Sequence, residues 1–392
     1  MSPRKGTKRM KVRFLAFIFA ISMLIGCGTR IENPEETGGN PTGSTTENAG
    51  YITSSELVKE LKIGYNLGNT FDAPYGETTW GNPFTTKEMI EEIKELGFGT
   101  IRIPVSWGKH TSGAPDYTID EKWMERVQTV VDYALDCGLY VIINSHHDNV
   151  IYRPTEENRD NAKNYIGAIW KQIAEKFNYA DYHLIFQTMN EPRVEGTSYE
   201  WQIDEKNPDS MKSVEIINEL NQEALDAIRS TGGNNSDRFV LVSSYAANPN
   251  SVLTDKFCLP EDSIEDRLLI SVHSYTPYNL CLNVNSSDTK FDFWTQMEIE
   301  NFLKGVYQKY SKNGIPVIID EMGIIHKNNP EDRYAWAKYF VSTAKKYNMV
   351  CCWWDNGSID NGEKFGLFNR RELKLYPESQ RVYDGLMDGF KN

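Results

Sequence analysis

Eight short apolar runs alternate with helical patterns between residues 62 and 355, and polar or charged residues gather where most of these runs end. No glycine-rich phosphate turn follows the first run. The alternation predicts a parallel sheet covered by helices. The missing phosphate turn argues against an open doubly wound sheet. The fold class is α/β, a (β/α)8 TIM barrel in a single domain.

In chain order, the first strand is predicted at 62–69 and closes on Asn66 and Asn69, with a helix at 86–96 after it. A strand at 100–107 carries Arg102 inside otherwise apolar sequence and precedes a helix at 121–136. The strand at 140–146 closes on His146 and His147, before a helix at 161–177. Leu184-Ile185-Phe186-Gln187-Thr188 opens the strand at 184–191, which ends on Asn190, Glu191 and Pro192. A helix at 213–230 and a strand at 238–245 follow. The next strand, 268–275, closes on His273 and Tyr275, and its connection from the fifth strand lacks a long helix. A helix at 293–310 leads to the strand at 316–323, in which Pro316-Val317-Ile318-Ile319 runs into Asp320 and Glu321. Helix 330–347, strand 349–355 with Trp353 and Trp354, and a short helix near 378–387 complete the domain.

The flanking sequence is of another kind. Arg4, Lys5, Lys8, Arg9, Lys11 and Arg13 form a basic head before an apolar run at 14–25, too short to span a bilayer and of the length of a signal-peptide core. Leu24-Ile25-Gly26-Cys27 resembles the lipobox of bacterial lipoproteins, which implies cleavage before Cys27 and lipid attachment there. A simple secretion signal is the alternative, and either way export to the cell surface or beyond is expected. Residues 27–50 are rich in Gly, Thr, Asn, Pro and Glu and read as a flexible tether. This divides the chain into a signal at 1–26, a tether at 27–50 and a catalytic domain at 51–392.

Residues 1–26 hold six basic and no acidic residues, so their removal takes the formal charge from −13 to −19. Such acidity excludes nucleic acid as a partner and disfavours anionic lipid, leaving contact with the membrane to the lipid anchor alone. Five cysteines remain beyond Cys27 and match no zinc spacing. Cys137, Cys351 and Cys352 read as small buried hydrophobes, and Cys258 with Cys281 could bridge two loops. Neither a metal nor a cofactor is expected, and the chain is read as a monomer.

Two carboxylates at strand ends, Glu191 and Glu321, are what hydrolysis of a glycosidic bond requires. One must meet positive charge at the anomeric carbon, and the other must protonate the leaving oxygen. Arg102 is the candidate cation that keeps Glu321 ionised, while burial and a negative neighbour keep Glu191 protonated. Neighbours on a strand face opposite ways, so Asn190 and Glu191 cannot both point inward from a regular strand, and the strand must end there. By the same argument only one of His146 and His147 faces the barrel axis. A metal site built on His146, His147, Asp148 and His273, and a non-catalytic surface glycan-binding lipoprotein, are the competing readings.

Gly64-Tyr65-Asn66-Leu67-Gly68-Asn69, Ile101-Arg102-Ile103-Pro104, His146-His147-Asp148, Asn190-Glu191-Pro192, His273-Ser274-Tyr275, Asp320-Glu321-Met322-Gly323 and Trp353-Trp354-Asp355-Asn356-Gly357 together resemble glycoside hydrolase family 5. Within it they are most similar to subfamily 4, the endo-β-1,4-glucanases. The resemblance implies a retaining hydrolase of cellulose or related β-glucans, with xyloglucan, lichenan and xylan as alternative substrates. It implies Glu191 as acid/base and Glu321 as nucleophile, and it places Arg102, His146, Asn190, His273, Tyr275 and Trp354 around the sugar in the cleavage subsite. Asn69, Asp72 and His147 match positions that contact neighbouring glucose units. Trp80, Trp107, Tyr278 and Trp294 could add subsites, although structural packing is the favoured reading for each.

Overall fold

The computed structural model describes residues 52–391; the expectations for the signal, for Cys27 and for the tether lie outside the described residues. Its centre is a closed barrel of eight parallel strands in sequential order, with β1 (Gly64–Leu67) pairing both β2 (Thr100–Ile103) and β8 (Met349–Asp355). Between them run β3 (Tyr140–Asn144), β4 (Leu184–Gln187), β5 (Val240–Ser243), β6 (Leu268–Ser274) and β7 (Val317–Met322).

A helix that the sequence reading missed, α1 (Ser54–Leu61), precedes the barrel. Thr53 and Glu56 cap it reciprocally, a capping box that stands in the sequence and satisfies two free backbone donors. The helices α2 (Lys87–Glu95), α3 (Glu121–Asp136), α4 (Arg159–Lys176) and α5 (Pro208–Ser230) follow the first four strands. The one-turn α6 (Tyr278–Cys281) and the longer α7 (Phe293–Lys309) follow β6, and α8 (Pro330–Lys346) and α9 (Gln380–Lys391) follow β7 and β8. No α-helix joins β5 to β6, as the sequence predicts. Helix α5 begins five residues earlier than expected, because Asn207 caps it and Pro208 fits its first turn.

The barrel interior is divided across its height. Its lower part is apolar: Ile142, Ile185, Leu241, Leu269, Ile318, Val350 and Cys352 form one buried cluster with Leu57 and Leu61 of α1. Helix α1 therefore plugs the amino-terminal mouth, and Leu61 accepts a hydrogen bond from Thr100 through its carbonyl. Above this floor, Asn66, Arg102, Asn144, Gln187, Ser243, Ser271 and Asp320 are buried and polar.

Strand β7 carries one extra residue relative to both neighbours. Ile318 pairs with Ser271 and Glu321 with His273 on one side; Ile319 pairs with Cys351 and Met322 with Trp353 on the other. Three steps along β7 thus match two along each partner, the pattern of a β-bulge. The bulge brings consecutive residues Asp320 and Glu321 to the same interior, where both meet Arg102 at 3.3 and 2.7 Å.

Candidate active site

Arg102 anchors the polar layer. It is wholly buried, and its guanidinium donates to Gln187 (2.8 Å), Asn66 (2.8 Å), Asn190 (2.6 Å) and Glu321 (2.7 Å). Burial opposes its charge, but Glu321 and Asp320 outweigh this and hold it firmly cationic. One fixed cation thus places residues from β1, β4 and β7, including the nucleophile candidate. Glu321 accepts a second hydrogen bond from the Tyr275 hydroxyl at 2.9 Å. Burial and then the Glu321 charge push the Tyr275 hydroxyl well up, so it stays a donor.

Glu191 is built differently. Strand β4 stops at Gln187, so Asn190 and Glu191 lie beyond the pleat and the alternation constraint no longer binds them. Asn190 continues the pairing by donating its backbone N–H to Ser145 (2.9 Å). The end of β5 holds the following turn: Ala246 donates to the Pro192 carbonyl at 2.8 Å, and the Tyr245 hydroxyl accepts from Val194 at 3.0 Å. Ala246 and Ala247 adopt left-handed backbone (φ 52° and 48°), a local strain tolerated beside this loop.

His273 links the two carboxylates. Its Nδ1 lies 2.8 Å from Glu191 Oε1 and 3.5 Å from Glu321 Oε2, while its Nε2 lies 3.3 Å from Asp320. Burial lowers its proton affinity, but Glu321 and Asp320 reverse this and push the imidazole up to about 10. Burial works against the Glu191 carboxylate too, yet its hydrogen bond to His273 and that cation's charge pull Glu191 down. Burial pushes Glu321 up; His273 and Arg102 pull it back, but Glu191 and Asp320 add to the burial and the carboxyl stays above its ordinary value, which corrects the expectation that Arg102 would hold it low. One proton therefore belongs to the His273–Glu191 pair, shared along a 2.8 Å hydrogen bond. The sequence reading gave that proton to Glu191 alone, because it saw Arg102 as a cation but not His273.

The other expected residues fall around this core. His146 is buried and lies parallel to Trp354, with ring centres 5.9 Å apart and planes 4° apart. His147 is exposed and meets His146 edge to face at 4.4 Å, so one histidine does face inward, as expected. Trp354 covers Gly68, where a Cβ would come within 2.9 Å of the indole, so only glycine fits beneath it. Asp72 is buried near both histidines, but its two oxygens already accept the N–H groups of Asn69 (2.9 Å) and Thr70 (2.6 Å). Asn69 itself has φ 53°, and its carbonyl accepts from Asn82.

Among the four further aromatics, only Trp107 is the packed residue expected; it is fully buried and donates to the Asn144 carbonyl. Trp80, Tyr278 and Trp294 are 46%, 61% and 72% exposed, which corrects the packing expectation for all three. Trp80 lies in the connection after β1, and Tyr278 and Trp294 lie at the starts of α6 and α7, after β6. Trp80 meets His147 edge to face at 5.6 Å.

Sequence reasoning missed Asp320, Gln187, Asn144 and Arg193 as members of the site. Asp320 and Gln187 are polar residues inside apolar runs, the same signal that found Arg102. Cys258 and Cys281 are free thiols, one exposed and one buried, with no bridge between them. Two sets of side chains, Asp72 with His146 and His147 and Glu191 with His273 and Glu321, bring donor atoms within 4.8 Å of one another. In the first set the carboxylate is committed to its own turn, and in the second the groups bond one another.

Comparisons with known proteins place the chain in a family. The model of the cellulase family, glycosyl hydrolase family 5, matches residues 66–360. A cellulase/esterase of Acetivibrio thermocellus is 42% identical over 86% of this chain, which spans 40% of that relative's length. An endoglucanase B of Neocallimastix patriciarum is 41% identical, covering 87% of this chain and 72% of its own. Among solved structures, a family 5 lichenase of Caldicellulosiruptor sp. F32 in complex with cellotetraose aligns with TM-score 0.82 and 42% identity, over 86% of this chain and 95% of the other. A subfamily 4 broad-specificity endoglucanase of Ruminococcus champanellensis with bound cellotriose gives 0.81 and 40%, over 86% and 98%. The matched span contains the whole cluster built around Arg102, and the chain belongs to glycoside hydrolase family 5.

Proposed function

We propose that the protein is a retaining endo-β-1,4-glucanase, with Glu321 as nucleophile and Glu191 as acid and then base. The observation that carries this reading is the distance across the barrel mouth: a Glu191 oxygen and a Glu321 oxygen lie within 4.8 Å. Carboxyl groups about 5–5.5 Å apart suit direct attack, whereas about 6.5–9.5 Å is needed to admit a water between carboxylate and sugar.

Glu321, aimed by Arg102 and Tyr275, attacks the anomeric carbon. The bond to the leaving oxygen breaks as that oxygen takes the proton held by the His273–Glu191 pair. The product is a glycosyl ester on Glu321 and a released chain with a new hydroxyl. Glu191, now a carboxylate, takes a proton from water, the hydroxide attacks the same carbon, and Glu321 leaves with the configuration retained. Trp354 offers an apolar face to a sugar ring, while Asn190, His146 and the loop residues Asn69 and His147 offer partners to its hydroxyl rim.

The substrate class is a β-linked glucan. The relatives bind cellotriose and cellotetraose in their solved complexes, and a lichenase stands among them, so mixed-linkage β-glucan belongs beside cellulose as a substrate. Xyloglucan and xylan share the backbone geometry and complete the panel. Export with lipid attachment at Cys27 is part of the proposal and rests on the sequence pattern alone. Detergent-phase partition of the wild-type protein, lost in Cys27→Ala, tests it.

Reducing-end release on mixed-linkage β-glucan, carboxymethylcellulose, xyloglucan and xylan tests the reaction, with Glu321→Gln as control. Release that vanishes in the variant supports the assignment. No release from any of the four by the folded protein favours the binding-only alternative.

A further inference from the structure

Arg193 lies two residues beyond Glu191 and is only 9% exposed. Its Nη1 donates to the Glu191 carbonyl at 3.1 Å and stands 3.6 Å from Glu191 Oε2. The rest of the guanidinium is caged. Nη2 reaches Glu195 at 3.4 Å, Nε reaches Glu200 at 3.5 Å, and the plane lies 4.0 Å from the ring centre of Trp201. The cage is itself anchored, since Glu200 accepts from Gly196, Glu195 from Asn149, and the Trp201 carbonyl from Asn248. Two carboxylates and an indole thus hold a cation against the outer oxygen of the acid.

We propose that Arg193 is a positioning residue for Glu191, orienting the carboxyl so that Oε2 meets the leaving oxygen and supplying a cation that serves Glu191 without touching Glu321. The inference rests on the catalytic roles proposed above. Oε1 of Glu191 is committed to His273, which leaves Oε2 to face a leaving group. His273 cannot act for Glu191 alone, because it also lies 3.5 Å from Glu321 and 3.3 Å from Asp320. When Glu321 becomes an ester its charge disappears, and the field at His273 changes with it. Arg193 contacts Glu191, Glu195 and Glu200 and is spared that change. It therefore stabilises the Glu191 carboxylate in the covalent intermediate, when that group must act as base.

The other charged or titratable groups around Glu191 are His273 from β6, Tyr275 just beyond it, Glu321 from β7, His147 and Tyr152 from the loop after β3, Glu363 from the loop after β8, and Glu195 and Glu200, which share Arg193 in its own loop. Arg193→Met also uncovers Glu195 and Glu200, so the charge of Arg193 is read from the difference between Arg193→Met and Arg193→Lys, which keeps a cation among them.

The test compares Arg193→Met, Arg193→Lys and Trp201→Leu in the full protein, with pH profiles of kcat/KM on mixed-linkage β-glucan and thermal melting to verify folding. A cation within about 4 Å lowers a carboxyl by about one unit or more. Arg193→Met should thus move the alkaline limb about one unit upward. Arg193→Lys, which keeps the charge, should return the limb close to its wild-type place. Trp201→Leu loosens the cage without removing charge and should move the limb the same way by less. Should Arg193→Met not fold, the limb in Trp201→Leu decides. Equal loss of rate at every pH, with the limb unmoved in the folded variants, would reduce Arg193 to loop packing and overturn the proposal. Wild-type glucan turnover in Glu191→Gln would instead sink the catalytic assignment itself, so the two failures are distinct.

Discussion

The two candidate carboxylates occupy opposite kinds of structure. Glu321 sits within a hydrogen-bonded strand, and its partners Arg102, His273 and Tyr275 come from β2 and the carboxyl end of β6. Glu191 stands four residues past the end of β4, with its side chain 16% exposed, and is held by one strand residue and one loop residue. A nucleophile must be in one place when the anomeric carbon arrives, and barrel staves supply fixed position. An acid that becomes a base must change charge twice per turnover, and a loop with its own cation accommodates this. The barrel thus holds one member of the proposed pair within a strand and the other in a loop with a cation of its own.

The strongest way to break the comparison is to neutralise each member. Glu321→Gln should lower turnover by about four orders of magnitude on any substrate, measured with glucan and with dinitrophenyl cellobioside. Glu191→Gln should lose as much on glucan but still release dinitrophenolate in a burst, because that leaving group needs no proton. Equal loss on both substrates in the two variants would erase the distinction.

Next comes the fixed cation. Arg102→Met takes from Asp320 and Glu321 the arginine they share, which should destabilise the protein by about 3–5 kcal/mol in denaturant melts and abolish turnover. The third test uses the apolar floor as a contrast. Leu57→Ala removes a buried side chain from the plug beneath the barrel, so a loss of about 2–4 kcal/mol is expected with kcat/KM unchanged where the protein stays folded. A fall in kcat/KM there would show that the two halves of the interior are not independent.

The last test concerns pH. The folded-state proton affinity of His273 is raised to about 10, above its ordinary 6.5. Its contribution to stability is therefore full below about pH 6.5 and is lost as pH rises towards 10. The thermal midpoint of the wild type should fall through that window more steeply than that of His273→Asn, and parallel curves would show that the imidazole is uncharged in the fold.

Most of this architecture was legible before the structure. The strand–helix alternation survives packing because each strand is a buried apolar run and each helix has one apolar stripe. Strand ends were overestimated: residues 188–191 extend beyond β4 and 145–146 beyond β3, where single backbone bonds such as Asn190 to Ser145 outlast the regular ladder. Helix α1 was missed although Thr53 and Glu56 announced its start, because eight residues give too short a period to recognise. In the site, isolated polar residues such as Arg102 could be read as functional. Arg193 could not, because a charged residue in a polar loop is the ordinary case, and only the fold shows Trp201, Glu195 and Glu200 closing round it. The charge on His273 was equally hidden, for it depends on three carboxylates brought together from one strand and one loop.

The extra residue in β7 has a consequence for which changes this barrel can tolerate. A strand assigns its side chains by parity, odd to one face and even to the other, and only an odd change in length reverses the assignment. Asp320 and Glu321 share an interior because parity is broken once, between Ile319 and Met322. Deleting one residue there would restore a flat ladder and turn one of the two carboxylates towards the helices with no residue type altered. The paired charge of this barrel is therefore encoded in the length of a strand as much as in its letters, and an alignment that closes a one-residue gap in β7 would move the candidate nucleophile to the wrong side of the wall.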